Sequence, residues 1–253
     1  MPRTGQPAIR RVAAVERAVT LLNALAESGA DLGTNEIARR TGINPSSVSR
    51  LLATLVASDL VQHIPDTGRY RLGLRLLQLG NLVLARLDLR EAAHPHLAAL
   101  AEATGETATL SVPGEGEAVT VDFVQSAAWS VQSIARVGRP SVAHATAVGK
   151  VFLACGGELP DEALTAFTKT TITDPEELAE EVSRTASRGW AEALGERELD
   201  LNAIAAPITG RRGELVAILG LQGPADRFNR RAMRAALDQL LASAARLSAG
   251  HPG

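Results

Sequence analysis

The stretch from Thr34 to Leu72 constrains this chain most, because its breaks carry the residue types that make breaks hard to avoid. Gly42 supplies a turn after a short helical segment that points Ile37 and Ala38 inward. Asn44-Pro45 then opens a second helix, since Asn accepts from the orphan amides of a first turn and Pro suits the first helical position. Within that helix Val48, Leu51, Leu52 and Leu55 recur at i, i+3, i+4 and i+7, which makes one buried stripe. After Val61 the period shortens to two, and Asp66-Thr67-Gly68 turns a hairpin whose second strand is Arg69-Tyr70-Arg71-Leu72. Thr34 is expected to cap the short helix, with Glu36 in its first turn. Upstream, Val15, Val19, Leu22 and Ala26, widened by Ala18 and Leu25, predict a helix over Val12 to Ala26. The order of helices, turn, helix and hairpin is a winged helix-turn-helix.

That reading assigns a surface. At 100° per residue, Ser46, Ser49, Arg50 and Ala53 point away from the apolar stripe, with Ser47 and Thr54 at its edges. A face this slim fits the major groove of double-stranded DNA, where Arg pairs with guanine and Ala or Thr meets a thymine methyl. Arg69 and Arg71 share the outer face of the hairpin, well placed for phosphates. The DNA-binding candidates are therefore Thr34, Asn44, Ser46, Ser47, Ser49, Arg50, Arg69 and Arg71, although each also fits an ordinary solvated position. His63 reads as a packing or surface residue. Charge agrees: the first 75 residues hold ten Arg against six acids, while the whole chain carries a formal net charge of -2. A basic head on an acidic body is what DNA binding by one end predicts.

The remainder is longer than one small domain, and 253 residues accommodate two. Leu74 to Leu89 is apolar around most of its circumference, so it needs cover on more than one side. A linker helix packed on its twin across a dimer axis meets that need, and burial in the protomer's own core is the alternative. A helix from Glu91 to Ala103 follows and stops at Gly105. Strands are predicted at Thr107 to Val112, Ala118 to Ser126 and near Ser130 to Val137, with Gly138-Arg139-Pro140 as a break and a helix over Ala143 to Ala154. Asp174-Pro175-Glu176-Glu177 starts another helix, ending before Gly189. Strands return at Trp190 to Ala193, Leu201 to Ile208 and Glu214 to Gln222, and a helix over about Asn229 to Ser248 closes the chain. The fold class is α+β, with an antiparallel sheet in the second domain. The expected division is a mobile arm over 1–11, the winged head over 12–73, a linker helix over 74–90 and a second domain over 91–250.

These segments resemble the IclR family of bacterial transcriptional regulators. The resemblance rests on Ala14-Val15-Glu16-Arg17-Ala18, on E-I-A-R-R-T-G-I-N-P-S-S-V-S-R-L-L with G-R-Y-R-L-G, and on H-A-T-A-V-G-K (144–150) with A-A-P-I (205–208). Gly189-Trp190-Ala191, Glu196 and Gln222-Gly223-Pro224 also fit, so the likeness runs from about Val12 to Leu247. It implies a homodimer, often a dimer of dimers, whose C-terminal GAF-like domain binds a small effector, commonly an organic or aromatic acid. Carried over, the amides around Thr146, Ala147 and Val148 receive a carboxylate at a helix start, facing Ala203, Gly220 and Gln222. Here the chain departs from the family's best-known pattern. Ala203 stands where many members have Cys, Asp200 where many have Gly, and Gly220 and Gln222 where some acid-binding members carry Ser. The exchange points away from a small keto acid and toward a larger or less charged ligand.

Other classes are less well supported by the residues. His144 stands where a phosphate loop ending at Gly149-Lys150 needs its first Gly, and no G-x-S-x-G occurs, so no enzyme and no cofactor are expected. A metal-responsive regulator would draw on His94-Pro95-His96, but no metal site is expected, because residues two apart diverge on a helix. A redox-responsive one would draw on Cys155, expected to be a small buried residue closing a helix. An enzyme domain fused to a DNA-binding head is the remaining alternative. No apolar run approaches the roughly 20 residues of a membrane span, and Met1 to Arg10 has no signal-peptide core, so no membrane partner and a cytoplasmic location are expected.

Overall fold

A computed structural model describes residues 12–84, 88–126, 135–159 and 163–250. The 1–11 arm, part of the linker and most of the strand expected at 130–137 lie outside the described residues. Contacts divide the chain into Met1–Arg86 and Leu87–Gly253.

The first unit is a winged helix-turn-helix: α1 (Ala13–Glu27), α2 (Thr34–Thr41), α3 (Pro45–Ala57), β1 (Val61–Ile64), β2 (Arg69–Leu72) and α4 (Leu74–Leu84). Leu21, Leu25, Leu32, Ile37, Val48, Leu52, Leu55 and Val61 form its core, with Leu51 and Tyr70 packed at the margin. The stripe expected on α1 splits. Leu21, Ala24 and Leu25 are buried, whereas Val15 and Val19 are 61% and 50% exposed. The helix has two apolar stripes, and only one meets the core.

Gly42 takes φ +69° and turns α2 into the Asn44 cap, as its lack of Cβ permits. Asn44 Oδ1 accepts from the Ser47 amide at 2.9 Å, with Pro45 at the first helical position. Thr34 departs from expectation: Gly33 is the cap and Thr34 is already helical, with no side-chain cap bond. The wing pairs Val61 with Leu72 and His63 with Tyr70, whose rings lie 4.9 Å apart. Leu32 adds a bridge to Tyr70 and ties the α1–α2 loop to the hairpin. On α4, Leu74, Leu77, Leu82 and Val83 are all at least 60% exposed and are not covered by the described residues, whereas Leu89, expected on the same helix, lies beyond its end at Leu84 and is buried.

The second unit is a six-stranded antiparallel sheet in the order β5-β4-β3-β8-β7-β6. Its elements are α5 (Asp88–Thr104), β3 (Thr107–Pro113), β4 (Ala118–Val124), β5 (Pro140–Ser141), α6 (Ala147–Ala154), α7 (Pro175–Arg188), β6 (Ala191–Leu194), β7 (Leu201–Thr209), β8 (Leu215–Pro224) and α8 (Arg230–Gly250). Together with the winged head this is an α+β architecture. Two expectations are corrected. Pro140 does not break the meander but begins β5, an edge position where its missing N–H is tolerated. The helix expected from Ala143 begins at Ala147, after Thr146 caps it.

Register sorts the sheet's side chains, because directly paired residues of antiparallel strands share a face. Ala193, Ala203 and Gln222 form one row; Ala191, Ala205, Gly220 and Thr109 form the next. These rows face α6, and Ala191, Ala193, Ala205 and Ile218 share a core with Ala147, Val151 and Phe152. The other face buries Leu110, Ile204, Leu219 and Leu221 on the side of α5 and α8. Replacing the α3 cap in Asn44→Ala is expected to cost about 1 kcal/mol of stability. Urea denaturation of the variant measures this, and an unchanged midpoint would show the cap to be dispensable.

Candidate functional sites

The α3 surface comes out as the helical wheel requires. Ser46, Ser49, Arg50 and Ala53 are exposed and Ser47 is half-buried at the edge. Ser46 is committed in part, since its hydroxyl donates to Asn44 Oδ1 at 2.8 Å and supports the cap. The Arg50 guanidinium has no hydrogen-bond or ion-pair partner among the described residues. The wing arginines differ from each other. Arg69 donates to the Asp31 carbonyl at 2.5 Å and lies 3.6 Å from Glu36, so its head group leans on its own domain. Arg71 donates to the neutral Gln62 side chain at 3.0 Å and has no acid paired with it among the described residues. Thr34 is half-buried at the first turn of α2.

The second site lies between α6 and the small-residue floor of the sheet. Thr146, Ala147, Val148, Ala203 and Gln222 line one cleft there. Gly220 serves it differently: a Cβ on this residue would meet Thr109 Oγ1 at 2.6 Å and Val148 Cγ2 at 3.4 Å. Its bareness lets α6 descend onto β8. Gly149 does the same on the other side, where a Cβ would meet the Val142 carbonyl at 2.4 Å. Thr146 Oγ1 accepts from the Gly149 amide at 2.9 Å, while the amides of Ala147 and Val148 have no partner among the described residues. A helix start with two open amides holds partial positive charge.

Sequence reading missed most of this lining, including its polar members Thr109, Thr120, Arg139, Ser141, Arg197 and Glu198. Glu198 sits 59 residues from Arg139 yet forms an ion pair with it at 2.5 Å, so the cleft's rim is a non-local contact without a local signature. Arg197 lies over the Phe167 ring at 3.9 Å, and Phe167 also stacks with His144. Glu196, known only as part of the family likeness, has a definite task. Lys150, 2% exposed, donates to its Oε1 at 2.7 Å and to the Glu192 carbonyl at 2.9 Å. Burial pushes the Glu196 carboxyl above its ordinary range, and Lys150 pulls it part of the way back.

Residues weighed for other chemistry are placed as follows. His94 lies within the helix α5, and its Nδ1 is 2.8 Å from Asp122 Oδ2, an acid that spacing along the chain did not bring near it. No group of three metal-binding side chains forms among the described residues. Cys155 ends α6 as expected, but it is exposed rather than buried. No helix of the described residues is long and apolar enough to cross a membrane. Breaking the buried pair from one side, in Lys150→Met, is expected to cost about 3–5 kcal/mol, because Glu196 is left buried without its partner. Chemical denaturation should show most of that loss recovered in Lys150→Met/Glu196→Leu; equal losses in both variants would make it a matter of packing.

Known protein families match segments in both units of the chain. Residues 14–65 match the IclR helix-turn-helix domain and residues 81–249 match the bacterial transcriptional regulator IclR C-terminal domain. The HTH-type transcriptional regulator XynR of Escherichia coli (strain K12) is 30% identical over 216 residues, 83% of this chain and 85% of that protein. The HTH-type transcriptional regulator BhcR of Paracoccus denitrificans (strain Pd 1222) is 32% identical over 245 residues, 94% and 87% of the two chains. An IclR transcriptional regulator structure from Silicibacter sp. TM1040 superposes with a TM-score of 0.80 at 26% identity, covering 95% of this chain and 98% of that one. An IclR homolog from Microbacterium hydrocarbonoxydans, solved with 4-hydroxybenzoate, shares the fold at a TM-score of 0.75 and 24% identity, over 94% and 98% of the chains. The chain belongs to the IclR family and is a ligand-responsive, DNA-binding transcriptional regulator rather than an enzyme.

Proposed function

We propose that two copies of this chain bind a near-palindromic operator, each laying α3 in the major groove with Arg50 and Ser49 reading base edges. Ser46, Ser47 and Asn44 border that face, Thr34 lies at the first turn of α2, and Arg71 holds backbone phosphate. Arg69 contributes to phosphate binding only by giving up its contact with Glu36. The reading is carried by Arg50, an exposed guanidinium without a partner among the described residues on an otherwise slim helix face. Such a group keeps its forked donors available for a guanine.

The dimer forms through α4, whose exposed Leu77 and Leu82 have no cover within the described chain. An exposed apolar run of this kind is a protein interaction site rather than an ordinary surface. The effector is a small organic acid seated between α6 and the sheet, at Thr146, Ala147, Val148, Ala203 and Gln222, with Gly220 letting α6 pack down on β8 beside it. It alters DNA binding by favouring one arrangement of the heads over another, which requires different affinities for the two. The protein acts in the cytoplasm, where its DNA lies.

Arg50→Ala is expected to weaken operator binding by about 1–3 kcal/mol and to relax preference at one base pair of each half-site. Binding across a set of operator variants tests this, and an unchanged sequence profile would remove Arg50 as a base reader. Leu77→Asp/Leu82→Asp should sediment as a monomer; a dimer of the double variant would place the interface elsewhere.

A further inference from the structure

Two polar atoms of the α6 cleft are shut off from water and have no hydrogen-bond partner among the described residues: Gln222 Nε2 and Glu196 Oε2. Folded proteins keep few such atoms, and those that persist call for an explanation. Glu196 is 8% exposed, and its other oxygen is already occupied by Lys150 at 2.7 Å and by the Leu194 amide at 3.3 Å. Its free oxygen is an acceptor waiting for a donor, and the Gln222 nitrogen is a donor waiting for an acceptor. They stand on either side of Ala203: Gln222 pairs with Ala203 on β8, and Glu196 follows the β6 strand whose Ala193 pairs with Ala203. Above them, the open amides of Ala147 and Val148 add two more donors at a helix start.

Resting on the reading of this cleft as the effector site, we infer that its ligand is a hydroxy acid. The carboxylate is received by the Ala147 and Val148 amides and by Gln222 Nε2. The hydroxyl donates its proton to Glu196 Oε2. A keto acid fails at the second position, because an oxo oxygen only accepts and would face a carboxylate oxygen. An amino acid fails for a different reason: its ammonium would join Lys150 at a carboxylate that Lys150 already neutralises, and like charges repel strongly where water is excluded. A simple alkanoic acid satisfies the donors and leaves Glu196 unmet.

The test is calorimetric binding to the full-length protein of matched sets that differ in one group. The sets are lactate, pyruvate, propionate and alanine; 2-hydroxyglutarate, 2-oxoglutarate, glutarate and glutamate; and 4-hydroxybenzoate with benzoate. The hydroxy acid of at least one set is expected to bind tenfold or more tightly than its oxo, unsubstituted and amino counterparts. Gln222→Leu should weaken that acid tenfold or more, Gln222→Glu should do so by turning a carboxylate onto the ligand's own, and Ala203→Phe should abolish binding by filling the floor. Thermal melting of each variant confirms that it is folded. If an oxo, amino or unsubstituted acid binds best and Ala203→Phe abolishes it, the cleft stands as the effector site and the hydroxy acid is overturned. Binding that survives Ala203→Phe, or an absence of binding across all three sets, overturns both readings.

Discussion

The buried pair of Lys150 and Glu196 fixes the geometry on which the effector domain's cleft depends. Lys150 is on α6, while Glu196 lies beyond the end of β6, so their 2.7 Å contact ties the helix to the rim of the sheet beneath it. Such a pair gives little net stability, because desolvating two charges offsets most of their attraction. Its contribution is one of position, since neither group has an equally good partner elsewhere. Every residue from Thr146 to Lys150 then has a reason. Thr146 caps the helix, Ala147 packs on the sheet's core, Val148 lies over Gly220, Gly149 clears the Val142 and Ala143 backbone, and Lys150 locks the end. The same lock leaves one Glu196 oxygen unmet among the described residues, and it is this oxygen to which we assign the ligand's hydroxyl.

What the sequence made legible follows from distance along the chain. Asn44-Pro45 and Asp174-Pro175 were readable as helix starts because a cap closes over three or four residues, and Asp174 indeed accepts from the Glu176 and Glu177 amides. The major outline of the sheet was readable because its period is two. The failures are non-local or two-sided. His94 finds Asp122 at 28 residues' separation and Arg139 finds Glu198 at 59, and no local pattern announces either meeting. On α1 the valines and the leucines form two stripes, and a helical wheel cannot choose between them. The core chose Leu21 and Leu25, which left Val12, Val15 and Val19 outside with the leucines of α4. Pro140 was misread because proline's exclusion applies to central strands, and β5 is an edge.

The charge of the head shows the same distinction between what is counted and what is available. Ten arginines against six acids in the first 75 residues suggest a broad phosphate grip. The structure distributes them unequally. Glu36 is shared by Arg40 at 3.0 Å and Arg69 at 3.6 Å, so one acid occupies two of the bases nearest α2. Arg71 and Arg75 lean instead on the neutral side chains of Gln62 and Gln78. Exposed pairs are weak enough for phosphate to displace them, but each displacement costs part of what the phosphate supplies. Since each phosphate neutralised steepens the salt dependence by about 0.9 in the logarithmic slope, net charge overstates the slope that one head can produce. Phosphate contacts carry no sequence information directly, so the head's selectivity has to come from α3 meeting the right bases. Joining two such heads multiplies that selectivity, because both half-sites must then be right at once. In the proposed dimer the exposed leucines of α4 and Arg50, which has no partner among the described residues, act together: the first join the copies and the second reads a base in each half-site.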